Sequence, residues 1–249
     1  MPAVGIQLYL ARNLMRADPE GTLARIAEIG FAEVEWWGAW DRTPAQLRTT
    51  LDAHGLRSPS YHVGTASLQP EQLPAVLDVA NTMGHEHLVI AWLEAQERQT
   101  ADDWKRTAEL MNLAGRAAQS RGVRIGYHNH GYESTRYDDR TAYEILLAET
   151  DPALVDFQLD AYWALTGGTE PLAFLRQHPE RITSLHLKDA APAPAYGQVD
   201  LGAGIIDWPT LIREGAAARV TSLYLDLDDP ADVWATAGSA RRYLRDLGY

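Results

Sequence analysis

The sequence predicts an α/β protein of the (β/α)8 barrel class, one domain spanning residues 1–249. Three observations carry this expectation: eight short β-rich runs, helix-patterned segments between them, and a length of 249 residues, close to the ~250 typical of eight β/α pairs. The runs fall at 5–10, 32–37, 58–63, 87–93, 124–130, 155–160, 182–189 and 222–228. GIQLYL (5–10) is followed by PEGTLARIAEIG (19–30), whose apolar residues recur at three- and four-residue spacing and which closes on glycine. After AEVEWW (32–37), Thr43-Pro44 places a capping residue before a proline in the first turn of a helix. SPSYHV (58–63) and HLVIAWL (87–93) precede the longest helical pattern, residues 102–122. RIGYHNH (124–130) and VDFQLD (155–160) follow, and Thr169-Glu170-Pro171 repeats the helix-start signal. ITSLHLKD (182–189), SLYLDLD (222–228) and a closing helix, ARRYLRDLG (240–248), complete the series. A doubly wound open sheet is the alternative, but it would show fewer strands or a glycine-rich phosphate turn after the first one.

Composition narrows the partners. The formal charge is −12, from 22 Lys and Arg against 34 Asp and Glu, which disfavours nucleic acid or an anionic membrane surface. With no cysteine, any metal must be held by His, Asp, Glu, amide or water. No apolar run reaches the ~18 residues needed to span a bilayer, and the first residues lack a signal core, so a soluble cytoplasmic protein is expected. A symmetric homo-oligomer is compatible with the sequence.

In a closed barrel, chemistry gathers where the strands end and the βα loops converge. Glu35, His62, Glu94, His128, His130, Glu133, Asp160, His186, Lys188, Asp226 and Asp228 all stand near such ends. His128 and His130 are two residues apart and would share one face of a strand. Asp160 follows the apolar run VDFQL, where an unpaired carboxylate is costly, so a ligand role is favoured over packing, and His186 within SLHLKD is weighted the same way. Lys188 and Asp189 could form a salt bridge at the mouth, and Asp228 could cap a helix starting at Pro230. Trp36, Trp37, Trp92 and Trp163 sit at or after strand ends, suited either to stacking on a sugar or to packing under the helices.

GYHNHGYE (126–133), FQLDAYW (157–163), SLHLKDAAP (184–192), LGAGIIDW (201–208) and YLDLDDP (224–230) appear in the order and at the intervals seen in the sugar phosphate isomerase/epimerase family, whose members have a xylose isomerase-like TIM barrel. The chain resembles that family along essentially its whole length. The resemblance implies one divalent cation (Mn, Mg, Co or Zn) held at the mouth by Asp160, His186 and Asp226. Two positions depart from the family pattern. Asp226 stands where the strand-eight ligand is usually glutamate, one methylene longer. Strand five carries Tyr127 about where the epimerases have a glutamate, so Glu133 is expected as fourth ligand from the loop, with His128 or His130 competing for that place.

The implied activity is a metal-dependent isomerase or epimerase acting on a small carbohydrate, a sugar or sugar phosphate. It would remove a proton next to a carbonyl to give an enediolate, with a cation as Lewis acid and a side chain as base. Glu133, His128, His130, Lys188 and Asp226 are the expected catalytic residues, and Glu35, His62, Trp163 and Lys188 the expected substrate contacts. Relatives that dehydrate keto-inositols or cleave keto sugars share the first proton abstraction, so a lyase or dehydratase is the alternative. A non-catalytic sugar-binding barrel is a third reading, and a DNA-repair endonuclease is disfavoured by the acidic charge.

Overall fold

Alternation within the strands sets the architecture. In the computed structural model, which describes residues 1–38 and 40–249, eight parallel strands run β1 (Ala3–Gln7), β2 (Glu33–Trp37), β3 (Arg57–Gly64), β4 (His87–Trp92), β5 (Arg124–His128), β6 (Val155–Asp160), β7 (Ile182–Leu187) and β8 (Ser222–Leu225). Each pairs with the next in sequence, and β8 pairs with β1, so the sheet closes on itself. The helices α1 (Arg12–Ala17), α2 (Pro19–Ile29), α3 (Pro44–Ala53), α4 (Leu73–Met83), α5 (Ala101–Ala118), α6 (Ala142–Glu149), α7 (Ala161–Thr166), α8 (Pro171–Gln177), α9 (Trp208–Ala217) and α10 (Val233–Asp246) follow the strands in turn. This is the closed (β/α)8 barrel that the sequence predicts.

Outward-facing strand residues such as Val4, Ile6, Val34, Leu88, Ile90, Ile125, Phe157, Leu185 and Leu223 are buried beneath the helices and form the main core. The inward row is different. Gln7, Glu35, Ser60, His62, His128, Gln158, Asp160, Ser184 and His186 point along the barrel axis and are buried. Barrel interiors usually pack Val, Ile and Leu. A polar interior is stable only where its hydrogen bonds are satisfied.

Local signals place the helices. Thr43 and Gln46 form a capping box at α3, and Gly30 closes α2 in the left-handed conformation. Glu170 caps α8 with Pro171 in its first turn, as the helix-start signal predicts. One expectation shifts: α10 begins at Val233 with Asp232 as its cap, so Asp228 has no capping role. Strands also end sooner than expected, at Gln7, His128, Leu187 and Leu225. Beyond these residues the chain bends over the mouth, and His130, Lys188, Asp226 and Asp228 belong to the loops. Among the described residues no helix is long and apolar enough to cross a membrane.

Candidate active site at the barrel mouth

The ends of β6, β7 and β8 bring three expected ligands together. Asp160, His186 and Asp226 each offer a ligand atom within 4.8 Å of the others, and all three are buried. Asp160 closes β6 and caps α7, its Oδ1 accepting the Trp163 N–H at 2.8 Å. Asn129 holds the same residue's backbone from both sides, accepting from its N–H at 2.8 Å and donating to its carbonyl at 3.1 Å. The His186 Nδ1 lies 3.2 Å from Asp226 Oδ2 and 3.9 Å from Asp160 Oδ2. Asp160 Oδ2 and Asp226 Oδ1 are buried without a hydrogen-bond partner. Two orphaned carboxylate oxygens beside an imidazole nitrogen fit a divalent cation, because burying them unpartnered is costly.

Charge is arranged around that cluster. The Lys188 ammonium lies 2.9 Å from Asp226, 3.0 Å from Asp228 and 3.5 Å from Asp160. Burial would favour its neutral form, but these carboxylates outweigh burial and push its pKa up. For Asp160, burial dominates and pushes the carboxyl up to about 6 against Lys188 and His186. Asp226 also feels burial, yet Lys188 and His186 outweigh it and hold its pKa down. Burial likewise opposes a charged His186, but Glu35 and Asp226 push it up to about 10.

Behind His186 stands Glu35, fully buried, with Oε2 2.6 Å from His186 Nε2. Gln7 donates to the same oxygen at 2.7 Å, while Ser60 and Gln158 each donate to Oε1 at 2.6 Å. The donation to Glu35 fixes the orientation of the Gln158 amide, since a carboxylate only accepts. Its Oε1 must then accept from the histidines that face it, His62 Nε2 at 2.8 Å and His128 Nδ1 at 3.0 Å. His128 therefore carries its proton on Nδ1 and keeps a lone pair on Nε2. Burial, reinforced by His186 and His130, holds its pKa well below the ordinary histidine value, so this imidazole is neutral. His62, His128 and His186 form a second group of nitrogens within 4.8 Å.

Glu133 does not join the cluster. The single helical turn 132–134 directs it outward behind β5, where Tyr127 donates to Oε1 at 2.7 Å and the His130 N–H to Oε2 at 2.8 Å. Tyr127 faces the α5 layer against Trp104, on the far side of the barrel wall from His128. Burial raises the Glu133 carboxyl to about 7, and both its oxygens are engaged. The fourth-ligand and catalytic expectations for Glu133 are corrected on these grounds. Glu35 was expected to contact substrate but is instead the fixed partner of His186. The expected Lys188–Asp189 pair is absent too, because Asp189 points away and accepts the N–H groups of Gly202, Gly204 and Ile206 at 3.0, 3.1 and 3.2 Å.

The mouth opens into a cavity of about 490 Å3 whose floor includes His62, His128, Lys188 and Asp226, with Tyr9, Trp37, Trp92, His130 and Trp163 among its walls. His130 stacks on Tyr132 at 5.4 Å and meets Trp92 edge-on at 4.9 Å. Its Nδ1 has no hydrogen-bond partner, and burial and Lys188 lower its pKa to about 3. Gln7, Ser60, Asn129, Gln158 and Ser184 complete the buried network without any motif assigning them a role. The signal that could find several of them is the period of two: Gln158 and Ser184 stand two residues before Asp160 and His186 on the same inward face.

Comparison with known proteins gives the same barrel. The family model for the xylose isomerase-like TIM barrel matches residues 23–236. An inosose dehydratase of Geobacillus kaustophilus is 24% identical over 188 residues, 67% of this chain and 60% of that protein. The chain thus spans less than two thirds of that curated relative's length. A sugar phosphate isomerase/epimerase of Parabacteroides distasonis superposes with TM-score 0.84 at 22% identity, covering 98% of this chain and 96% of the other. The IolI protein, solved with a bound zinc atom, superposes with TM-score 0.77 at 14% identity, covering 98% and 97%.

Proposed function

The chain belongs to the xylose isomerase-like TIM barrel family, and from that premise we propose that it is a divalent-metal-dependent lyase that removes water from a keto sugar or keto-polyol. The observation that carries the reading is the single neutral base at the floor. His128 has its Nδ1–H tied to Gln158 and its Nε2 lone pair free for substrate. An epimerase or isomerase that works with a pair of carboxylate bases needs both free at the cavity, whereas Asp226 and Asp228 are paired with Lys188 and Glu133 has its oxygens committed to Tyr127 and the His130 N–H. Dehydration can run on one base. His128 takes the proton next to the carbonyl, the electron pair forms the new double bond as the β-hydroxyl departs, and the same imidazolium returns its proton to that hydroxyl as water. The likeness to an inosose dehydratase favours the same branch.

The other residues have assigned roles. A divalent cation held by Asp160, His186 and Asp226 would act as Lewis acid on the carbonyl oxygen. Lys188 faces the developing oxyanion with a positive charge fixed by its carboxylates. His62 and Gln158 hold the His128 ring in place, and the His130 ring lines the cavity wall beside it. The test is incubation of the metal-loaded protein with an inosose in deuterated water. A product lighter by one water is expected, and His128→Asn should cut its rate about 10²- to 10⁴-fold. Deuterium incorporation without loss of water would replace the lyase reading with an isomerase.

A further inference from the structure

We infer that the substrate of this site is unphosphorylated and carries a second flat ring, so that a keto glycoside fits it better than a free sugar or a sugar phosphate. This inference rests on the lyase reading for the chemistry at the floor, but its own grounds lie at the rim.

The first ground is the arrangement of aromatic walls. The closed strand order sets the ends of β1 and β2 across the barrel from the ends of β5 and β6. Tyr9 and Trp37 stand on the first side, packed edge to face with centroids 4.9 Å apart. His130 and Trp163 stand on the second, 5.6 Å apart. Trp92, at the end of β4, meets His130 edge-on and leaves 46% of its surface exposed, and Tyr9 leaves 37%. The cavity between them, about 490 Å3, lies in the ~300–1,000 Å3 range that encloses drug-sized ligands. A lone sugar ring on the floor would leave these faces in water. A second ring above it would cover them.

The second ground is the absence of a phosphate cradle among the described residues at the mouth. Barrels commonly bind phosphate with the loops after strands seven and eight. Here the amides of Gly202, Gly204 and Ile206, in the loop after β7, already donate to the carboxylate of Asp189. Gly204 lies so close that a Cβ there would meet Asp189 Oδ1 at 2.2 Å, so the loop is built around that carboxylate. After β8, the first amides of α10 are capped by Asp232. Lys188 is the cation lining the cavity, and three carboxylates surround it. Arg98 lies over the Tyr132 ring at 3.9 Å and donates to the Leu93 carbonyl, and Arg12 is held by Asp229 and the Asp228 carbonyl. A phosphate dianion at the floor would meet Asp226 and Asp228, and the Lys188 ammonium there is already shared among three carboxylates.

Calorimetric titration with unreactive probes tests the inference: phenyl and methyl glucopyranosides, each as both anomers, and glucose 6-phosphate. One phenyl anomer should bind about tenfold or more tighter than its methyl counterpart, and glucose 6-phosphate should bind more weakly than either. Trp92→Ala and Trp163→Ala should erase the phenyl preference while changing methyl glucoside binding much less. Equal affinity for phenyl and methyl glucosides, or tightest binding of glucose 6-phosphate, would overturn the inference. A phenyl preference without any water loss from keto substrates would keep this assignment and remove the lyase chemistry. Water loss without the preference would do the reverse.

Discussion

One imidazole shows how the site is held. His186 presents Nδ1 to Asp160 and Asp226, and its Nε2 lies 2.6 Å from a Glu35 carboxylate that three further side chains, Gln7, Ser60 and Gln158, hold in place. An outer carboxylate of this kind fixes the tautomer and raises the basicity of the ligand nitrogen. Glu35→Gln should therefore weaken metal affinity about 10- to 100-fold, read by titration against a competing chelator, and unchanged affinity would remove the role assigned to Glu35. A second histidine gives a pH signature away from the site. His85 is buried with its Nδ1 2.5 Å from the Ser58 carbonyl and its Nε2 unpartnered, and burial lowers its pKa from 6.5 to about 4. As pH falls below 6.5 the unfolded chain takes up this proton before the folded one does. The stability His85 contributes is thus complete above pH 6.5 and lost as pH falls through about 4, an effect of about 3 kcal/mol at most. Urea midpoints between pH 7 and pH 4 should fall more steeply in the native protein than in His85→Gln. Parallel curves would contradict this account.

At the level of elements, the loop after β7 is held by one carboxylate. Asp189 accepts three loop amides, and removing it in Asp189→Ala would strand buried donors at a cost of about 3 kcal/mol. Hydrogen exchange should speed up at residues 202–206 before it does elsewhere, and a uniform change across the barrel would argue against a local role. The same elements show what was legible in the sequence. All eight strands were, because each carries an outward apolar row against the helices, while Asp160, His186 and Asp226, which the structure brings together, were singled out as a set through the family resemblance. The strand ends were not, because nothing in the local pattern marks where a ladder stops and the chain bends over the mouth. Glu133 was misread because a single turn at 132–134 reverses the direction of its side chain. Asp189 was misread because its partners lie 13 to 17 residues downstream. The inward polar row was overlooked because a serine or glutamine in a strand looks like half of an ordinary amphipathic alternation, whereas here both faces are buried.

Across the whole molecule, the two ends of the barrel hold charge in different ways. At the N-terminal end, Asp156 is ringed by Arg124, His87 and Arg219, which tie β4, β5, β6 and the turn before β8 together. Burial would raise this carboxyl, but His87 and Arg124 outweigh it and lower its pKa from 3.8 to about 2. Its contribution is present above pH 3.8 and lost as pH falls through about 2, so Asp156→Asn should cost about 2 kcal/mol at pH 7 and almost nothing at pH 2 in chemical denaturation. The mouth lacks such closure within the chain. Asp160 Oδ2 and Asp226 Oδ1 accept no hydrogen bond, and their neighbours Glu35 and Asp228 add further negative charge beside Lys188 and His186. A cation that binds only the folded protein adds RT ln(1 + [L]/Kd), about 2.7 kcal/mol at a hundredfold excess over Kd. For a chain of 249 residues that is a shift of roughly 5–10 °C in Tm. Chelation should lower Tm by this amount and added Mn²⁺, Co²⁺ or Zn²⁺ should restore it, while Asp160→Asn and Asp226→Asn should lose the response to metal yet keep the Asp156-dependent loss of stability in acid. If both variants responded to metal as the native protein does, the cation would have to bind elsewhere, and the convergence of β6, β7 and β8 would need another explanation.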